Sequence, residues 1–433
     1  MSSLLARRVA FLTVLRHRDY RTYYLGLLAS VTAHQGMVAA QGWLVYDMTS
    51  LPAALGYVAA AQAVPALFLS LLSGALADRF DPRRFIALGQ GVSALVMAGV
   101  GALVLADAIT VWHIAASAFI IGIAQTLDQP SRRAIWPVLI PRGEMLYAAS
   151  LNQGVWNGTR AVAPALATGI IAIVGALTGD ERLGAAIAFF AIAAGYGAMV
   201  VSMAVIRMPE IRRSKGATVL HDIADGLVFT WRNRILFTLL LLSLVIGFFG
   251  LSYQFMMPAF AEGSLGLGTE DLGFLLSASG VGGIIGVVGV ASFGAYQSRA
   301  WLIGIAAAGA GLAVIAFASS ALWGGYALAL VFAAASGAIN SLFQVAASTV
   351  LNLLVPDHYR GRVFGLRGLM WNLMPLGALQ AGLVATWVSV PFAIALGGAV
   401  IMAFTLVVFA VSPQLRRVRA LVAEADAERN APA

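Results

Sequence analysis

Residues 74–84 read GALADRFDPRR and stand where a long apolar run stops and a charged turn begins. The chain has 433 residues, 60% apolar and only 11% charged, yet Asp78, Arg79, Asp81, Arg83 and Arg84 fall within seven positions. Ions this scarce and this closely gathered mark a connection between two membrane-crossing segments. Outward from that turn, apolar runs of about 20 residues, the length that crosses about 30 Å of hydrocarbon, recur in both directions. They lie near 22–47, 53–76, 83–106, 110–131, 146–176 and 183–206, then near 236–261, 271–295, 299–318, 322–352, 362–387 and 389–412. The pattern predicts an all-α membrane protein of twelve transmembrane helices in two sets of six.

Composition agrees. A mean hydropathy of +0.87 excludes a soluble fold, and 46 glycines suit helices that pack backbone to backbone in lipid. The net charge of +8 does not point to nucleic acid, because the basic residues sit in short turns between apolar runs. With no cysteine there is neither a disulfide nor a thiolate metal site. No metal-ligand spacing, nucleophile motif or phosphate-binding loop is present, so neither an enzyme nor a cofactor is expected. Without an ATPase module, energy must come from an ion gradient or from the substrate's own gradient. The apolar run at 9–15 is closed by Arg16, His17 and Arg18 rather than by a cleavage site, so residues 1–21 read as a cytoplasmic arm facing anionic lipid.

The ions also predict orientation. Of 27 Lys and Arg, 25 fall in the arm, in alternate connections (79–84, 132–142, 207–234, 299 and 360–367) or in the tail. The opposite turns carry Asp47, Asp107, Asp180, Glu181, Glu262, Glu270 and Asp271. Both termini are therefore expected in the cytoplasm. The expected parts are the arm 1–21, a bundle at 22–206, a linker at 207–235, a second bundle at 236–412 and a tail at 413–433. Within the linker, 220–231 reads as an amphipathic helix on the membrane surface. One offset of 215 relates Gly74 to Gly289, Arg84 to Arg299, Gly122 to Gly337, Gln129 to Gln344 and Pro141 to Pro356, which argues for an internal duplication. In the second copy, Phe293 replaces Asp78.

The 74–84 stretch resembles the signature loop of the major facilitator superfamily. QGWLVYDMTSLPAALG at 41–56, DQPSRRAIWPVLIP at 128–141 and LVPDHYRGRVFGLRGL at 354–369 resemble its branch of enterobactin exporters and related efflux proteins. The resemblance runs from Arg16 to Pro413. It implies a bacterial inner-membrane secondary transporter, monomeric by family habit, that exports small molecules by alternating access. It departs from proton-coupled drug antiporters at two points: 113–125 carries no arginine, and the fifth span has Ala163-Pro164 where a glycine-proline pattern is usual. Import, lipid or metabolite movement, and a non-transporting sensor or scaffold stand as alternatives.

Candidate site residues follow from ions and polar groups inside apolar spans. Asp78 is placed to cap a helix of the other half as a gate, with Arg79, Arg83 and Arg84 as gate or topogenic charges. Asp128 is placed as a gate partner of Arg132, Arg133 or Arg84, or as a proton carrier. Gln153, Asn157, Arg160 and Pro164 form one stripe on the fifth span, where Arg160 could meet an anionic or oxygen-rich substrate or a backbone carbonyl. His34, with Gln35 beside it, could take up a proton or simply pack. Gln125, Tyr253, Gln254, Asn340, Gln344, Trp371 and Asn372 complete the polar set. Phe248, Phe249, Phe255, Met256 and Met257 offer an adaptable apolar wall or plain core.

Overall fold

A computed structural model describes residues 11–79, 81–207, 219–293, 300–323 and 325–412, and among them every regular element is helical. The helices are α1 (Arg18–Thr49), α2 (Pro52–Arg79), α3 (Pro82–Leu105), α4 (Val111–Ile135), α5 (Met145–Thr178) and α6 (Glu181–Val205). They continue with α7 (Val219–Arg232), α8 (Arg234–Val245), α9 (Tyr253–Leu265), α10 (Thr269–Phe293) and α11 (Ala300–Ser319). The last four are α12 (Tyr326–Leu354), α13 (Asp357–Asn372), α14 (Met374–Trp387) and α15 (Val390–Val411).

Eleven spans among the described residues are long and apolar enough to cross a membrane. The twelfth is α1, which is 32 residues long but carries Ser30, His34, Gln35 and Gln41 in its middle. Two expected spans are interrupted. The seventh consists of α8 and α9 joined through a π-helical segment, Ile246–Gly250, and the eleventh breaks between Asn372 and Met374 into α13 and α14.

The polar residues of the turns act as caps, as unpaired helix-end N–H groups require. Asp81 accepts from the Arg83 N–H to start α3, Thr110 from the His113 N–H to start α4, and Asp180 from Arg182 and Leu183 to start α6. Thus one acidic residue of the 74–84 stretch has a local structural task.

The chain divides into two compact units, one made of Met1–Met48 and Val64–Gly216, the other of Thr49–Ala63 and Ala217–Ala433. In the first, Tyr20, Tyr23, Leu27 and Val31 of α1 pack with Ile86, Ile135, Leu151, Val155 and Met199. On its acidic face Arg182 lies 3.6 Å from Asp47 and 3.4 Å from Asp107. On its arginine-rich face Glu144 receives Arg16 at 2.5 Å and His17 at 3.0 Å.

In the second unit Leu236, Leu239, Ile303, Phe343, Val350, Val363 and Ile401 form the core. There α10 and α12 touch through their backbones: a Cβ added at Gly282, Gly286 or Gly337 would collide with the carbonyl oxygen of Ala334, Ala338 or Ser279. Such contact lets dispersion act over the whole helix length where lipid offers no hydrophobic drive. The first turns of α2 pack on α14, with the Ala53 N–H donating to Thr386 Oγ1 at 3.0 Å.

The expected linker helix is present as α7, docked on α13. Phe229 stacks on Tyr359 with ring centroids 4.0 Å apart, and Arg362 lies 3.5 Å from Asp225. Leu227, Val228 and Trp231 of α7 are exposed.

Candidate functional site

Within the first unit, α1, α3 and α4 bring their polar residues into a network of three separate hydrogen-bonded groups, the largest of them buried. Asp128 is 1% exposed, and its Oδ2 accepts from Gln90 Nε2 at 2.6 Å and from Arg132 Nε and Nη2 at 3.2 and 3.1 Å. Arg132 Nη2 also donates to Ser30 Oγ at 3.0 Å, and the Tyr23 hydroxyl donates to the Arg132 carbonyl at 3.4 Å. One turn along α4, Gln125 Nε2 donates to His34 Nδ1 at 2.7 Å. Two further turns on, Gln41 Nε2 donates to Ser117 Oγ at 3.0 Å.

Helical spacing explains the convergence. Tyr23, Ser30, His34 and Gln41 follow i, i+7, i+11 and i+18 on α1, and Ser117, Gln125, Asp128 and Arg132 share a face of α4. The approach of α3 depends on Gly89, where an added Cβ would lie 3.2 Å from the Ala124 carbonyl oxygen and 3.5 Å from Asp128 Cβ.

Electrostatically the pair Asp128–Arg132 is self-neutralising. Desolvating both ions is costly, and their proximity with the hydrogen bonds from Gln90 and to Ser30 offsets that cost. The pairing of His34 Nδ1 with the Gln125 amide N–H is met by the neutral imidazole that carries its proton on Nε2. A proton placed on Nδ1 would set donor against donor and oblige the Gln125 amide to turn over.

The other residues singled out in the sequence lie apart from this network. Arg83 donates from Nη1 to the carbonyl of Ile206, the C-cap of α6, at 2.8 Å and stands 3.5 Å from Asp81. A cation there meets the negative end of the α6 dipole. The Arg84 side chain is 89% exposed, and Arg133 is also exposed. The side chains of Asp78 and Arg79, at the end of α2, lie outside the described residues. On α5, Arg160 and Asn157 are half-buried and Gln153 is exposed; Gln35 on α1 is half-buried.

In the second unit Tyr253 is buried on α9, Gln254 Nε2 donates to Ser279 Oγ at 3.5 Å, and Asn340 on α12 is 9% exposed. Trp371 and Asn372 end α13, the latter exposed. Met256 and Met257 are fully buried, and Phe248 meets Phe249 edge to face at 5.0 Å. Gln344 on α12 is gripped by Arg367 of α13 through its side-chain oxygen at 2.7 Å.

Sequence reasoning missed Tyr23, Ser30, Gln90 and Ser117 of this network, and Arg367, which grips Gln344. Arg367 was counted as a loop charge, and Arg132 as a turn charge that could pair with Asp128. Both are 8% exposed and lie within helices, held by acceptors on their own helix or a neighbouring one: Asp128 and Ser30 for Arg132, and Gln344 for Arg367.

Residues 10–432 match the family described as transmembrane secretion effector. The chain belongs to that family. The multidrug efflux pump Tap of Mycolicibacterium fortuitum is 27% identical over 376 residues, covering 83% of this chain and 88% of the pump. The staphyloferrin A transporter of Staphylococcus aureus is 26% identical over 390 residues, covering 86% and 91%. Among solved structures, a bacterial homologue of the human lysosomal transporter Spinster superposes with a TM-score of 0.69 at 15% identity, covering 96% of this chain and 98% of that one. The fold is therefore the twelve-helix fold of major facilitator transporters, and this member of the family is a multi-pass membrane transporter rather than an enzyme.

Proposed function

We propose that the protein is a secondary active exporter of small amphipathic or anionic molecules, of siderophore-like or drug-like character. In this reading it works as a monomer in the bacterial inner membrane with both termini cytoplasmic. The bundles 22–206 and 236–412, joined by the linker 207–235, would rock about a midplane site in alternating access. Support for orientation comes from the arginine-rich and acidic faces of the first unit. Support for export comes from the activities for which the two relatives are named.

The observation that carries the reading is the network of Asp128, Arg132, Gln90, His34 and Gln125. An inert bundle gains little from burying an ion pair that well-packed apolar residues would match or better in stability, whereas a transporter needs groups that exchange partners. Asp128 and His34 are chemically suited to carry a proton, and the proton is the coupling ion we assign. Asn157 and Arg160 on α5, together with Gln153, Gln35, Tyr253, Gln254, Asn340, Gln344 and Asn372, are assigned to substrate contact, and Asp78, Arg79, Arg83, Arg84 and Arg133 to gating.

The test is accumulation in inside-out vesicles of a carboxylate siderophore and of the cationic dye ethidium, with and without an imposed proton gradient. Gradient-dependent accumulation supports the reading. Accumulation only in right-side-out vesicles replaces export with import, and no accumulation under any gradient refutes it.

A further inference from the structure

The two units treat their buried arginines differently. In the first, Arg132 closes on the carboxylate of Asp128. In the second, Arg367 is 8% exposed and stands ten residues into α13, about 15 Å along the helix. Its Nη1 donates to Ser348 Oγ, and its Nη2 donates to the backbone carbonyl of Gln344 at 3.2 Å and to Gln344 Oε1 at 2.7 Å. All three acceptors are neutral. A guanidinium does not deprotonate in proteins, so a full positive charge is held away from water with no carboxylate against it among the described residues.

Two donors in this cluster are also unmet: Arg367 Nε and Gln344 Nε2 are buried without a hydrogen-bond partner. The Gln344 amide cannot turn to satisfy its nitrogen without aiming N–H at the arginine, so its orientation is fixed by charge. The cluster thus combines an unbalanced cation with two waiting donors.

We propose that Arg367, Gln344 and Ser348 form the point at which the second unit recognises an oxyanion, a carboxylate of the transported molecule. One carboxylate supplies both the missing charge and acceptors for two N–H groups, with the bidentate geometry that guanidinium favours. A neutral or cationic substrate gains nothing here. The proposal deepens the exporter reading and rests on it for the identity of the ligand as cargo.

The test uses the full-length protein in nanodiscs and in inside-out vesicles, with 1-naphthylacetate, its neutral methyl ester and ethidium as probes. Wild type is expected to bind naphthylacetate at least tenfold more tightly than the ester. Arg367→Gln should remove that preference, and Arg367→Lys should retain only part of it. The decisive variant is Gln344→Glu, which is isosteric and brings an internal carboxylate to Arg367. It should raise thermal stability while weakening naphthylacetate binding tenfold or more, whereas a purely structural Arg367 would gain stability with binding unmoved. No carboxylate preference in wild type, or Gln344→Glu binding within twofold of wild type, overturns the proposal. Arg367-dependent binding without transport of any probe keeps the anion site and removes the exporter reading. Ethidium transport with Arg367-independent anion binding does the reverse.

Discussion

Replacing Asp128 with alanine removes the one carboxylate that balances Arg132. Asp128 and Arg132 side chains are 2% and 9% exposed, so the orphaned guanidinium has no route to water without repacking. Breaking a buried pair from one side costs about 3–5 kcal/mol. In a unit of roughly 200 residues, each kcal/mol moves the melting temperature by about 2–4 °C, so the apparent Tm should fall by about 6–20 °C.

Asp128→Asn should cost less than half as much. Asparagine can place its oxygen where Oδ2 stands, so that Arg132 and Gln90 both keep their acceptor. What is lost is the charge assistance, about 1–1.5 kcal/mol. The assay is thermal unfolding of purified protein at a fixed scan rate for wild type, Asp128→Ala, Arg132→Ala, the double variant and Asp128→Asn. The double variant should be more stable than the sum of the single losses, with a coupling of at least about 2 kcal/mol. A drop below about 2 °C for Asp128→Ala, or strict additivity, would show that removing one partner does not leave the other as a buried, uncompensated charge.

Gly337→Val should drive a side chain into the Ser279 carbonyl and separate α10 from α12, so the folded fraction in size-exclusion chromatography should collapse. Arg182→Ala, by contrast, removes ion pairs that are partly exposed, and such pairs contribute about 0–1 kcal/mol; its Tm should stay within about 4 °C of wild type. Phe229→Ala should undock α7 by removing the stack on Tyr359, read as faster protease cleavage within 207–235 at unchanged Tm of the remainder. Arg160→Ala should abolish vesicle accumulation while the protein still elutes folded; unchanged transport would remove Arg160 from the substrate site.

The fold was legible because lipid leaves few options: a run of about 20 apolar residues between charged turns has to be a helix. The arginine-bearing turns and the run lengths placed the spans within a few residues. α1 shows the limit of that logic, since its polar middle lowers its hydropathy for reasons visible only when α3 and α4 are in place. The site was legible one residue at a time. Asp128, Arg132, His34 and Gln125 stood out as polar groups in apolar runs, but their pairing depends on how three helices face each other. Gln90 and Ser30 differ little from other isolated polar residues until that packing is known. Arg367 was hidden by its neighbours, because Arg360 and Arg362 made it look like a third loop charge. The break at Leu373 is marked by Pro375 in the first turn of α14, whereas the π-helical segment at Ile246–Gly250 left no signal that propensity or period would reveal.

The polar middle of α1 also bears on how the chain enters the membrane. Its partners come later in synthesis: Ser117 pairs across 76 residues, Gln125 across 91 and Arg132 across 102. At about 5–20 residues per second, roughly 4–20 s pass between translation of the first group and of the last. During that interval His34, Gln41 and Ser30 face either lipid, where each unpaired polar group is costly, or the water-filled interior of the translocon. The first span of this transporter is therefore expected to lie stably in lipid only once the fourth has been made, so chains truncated before residue 111 should crosslink to the insertion machinery and chains extended past residue 135 should not.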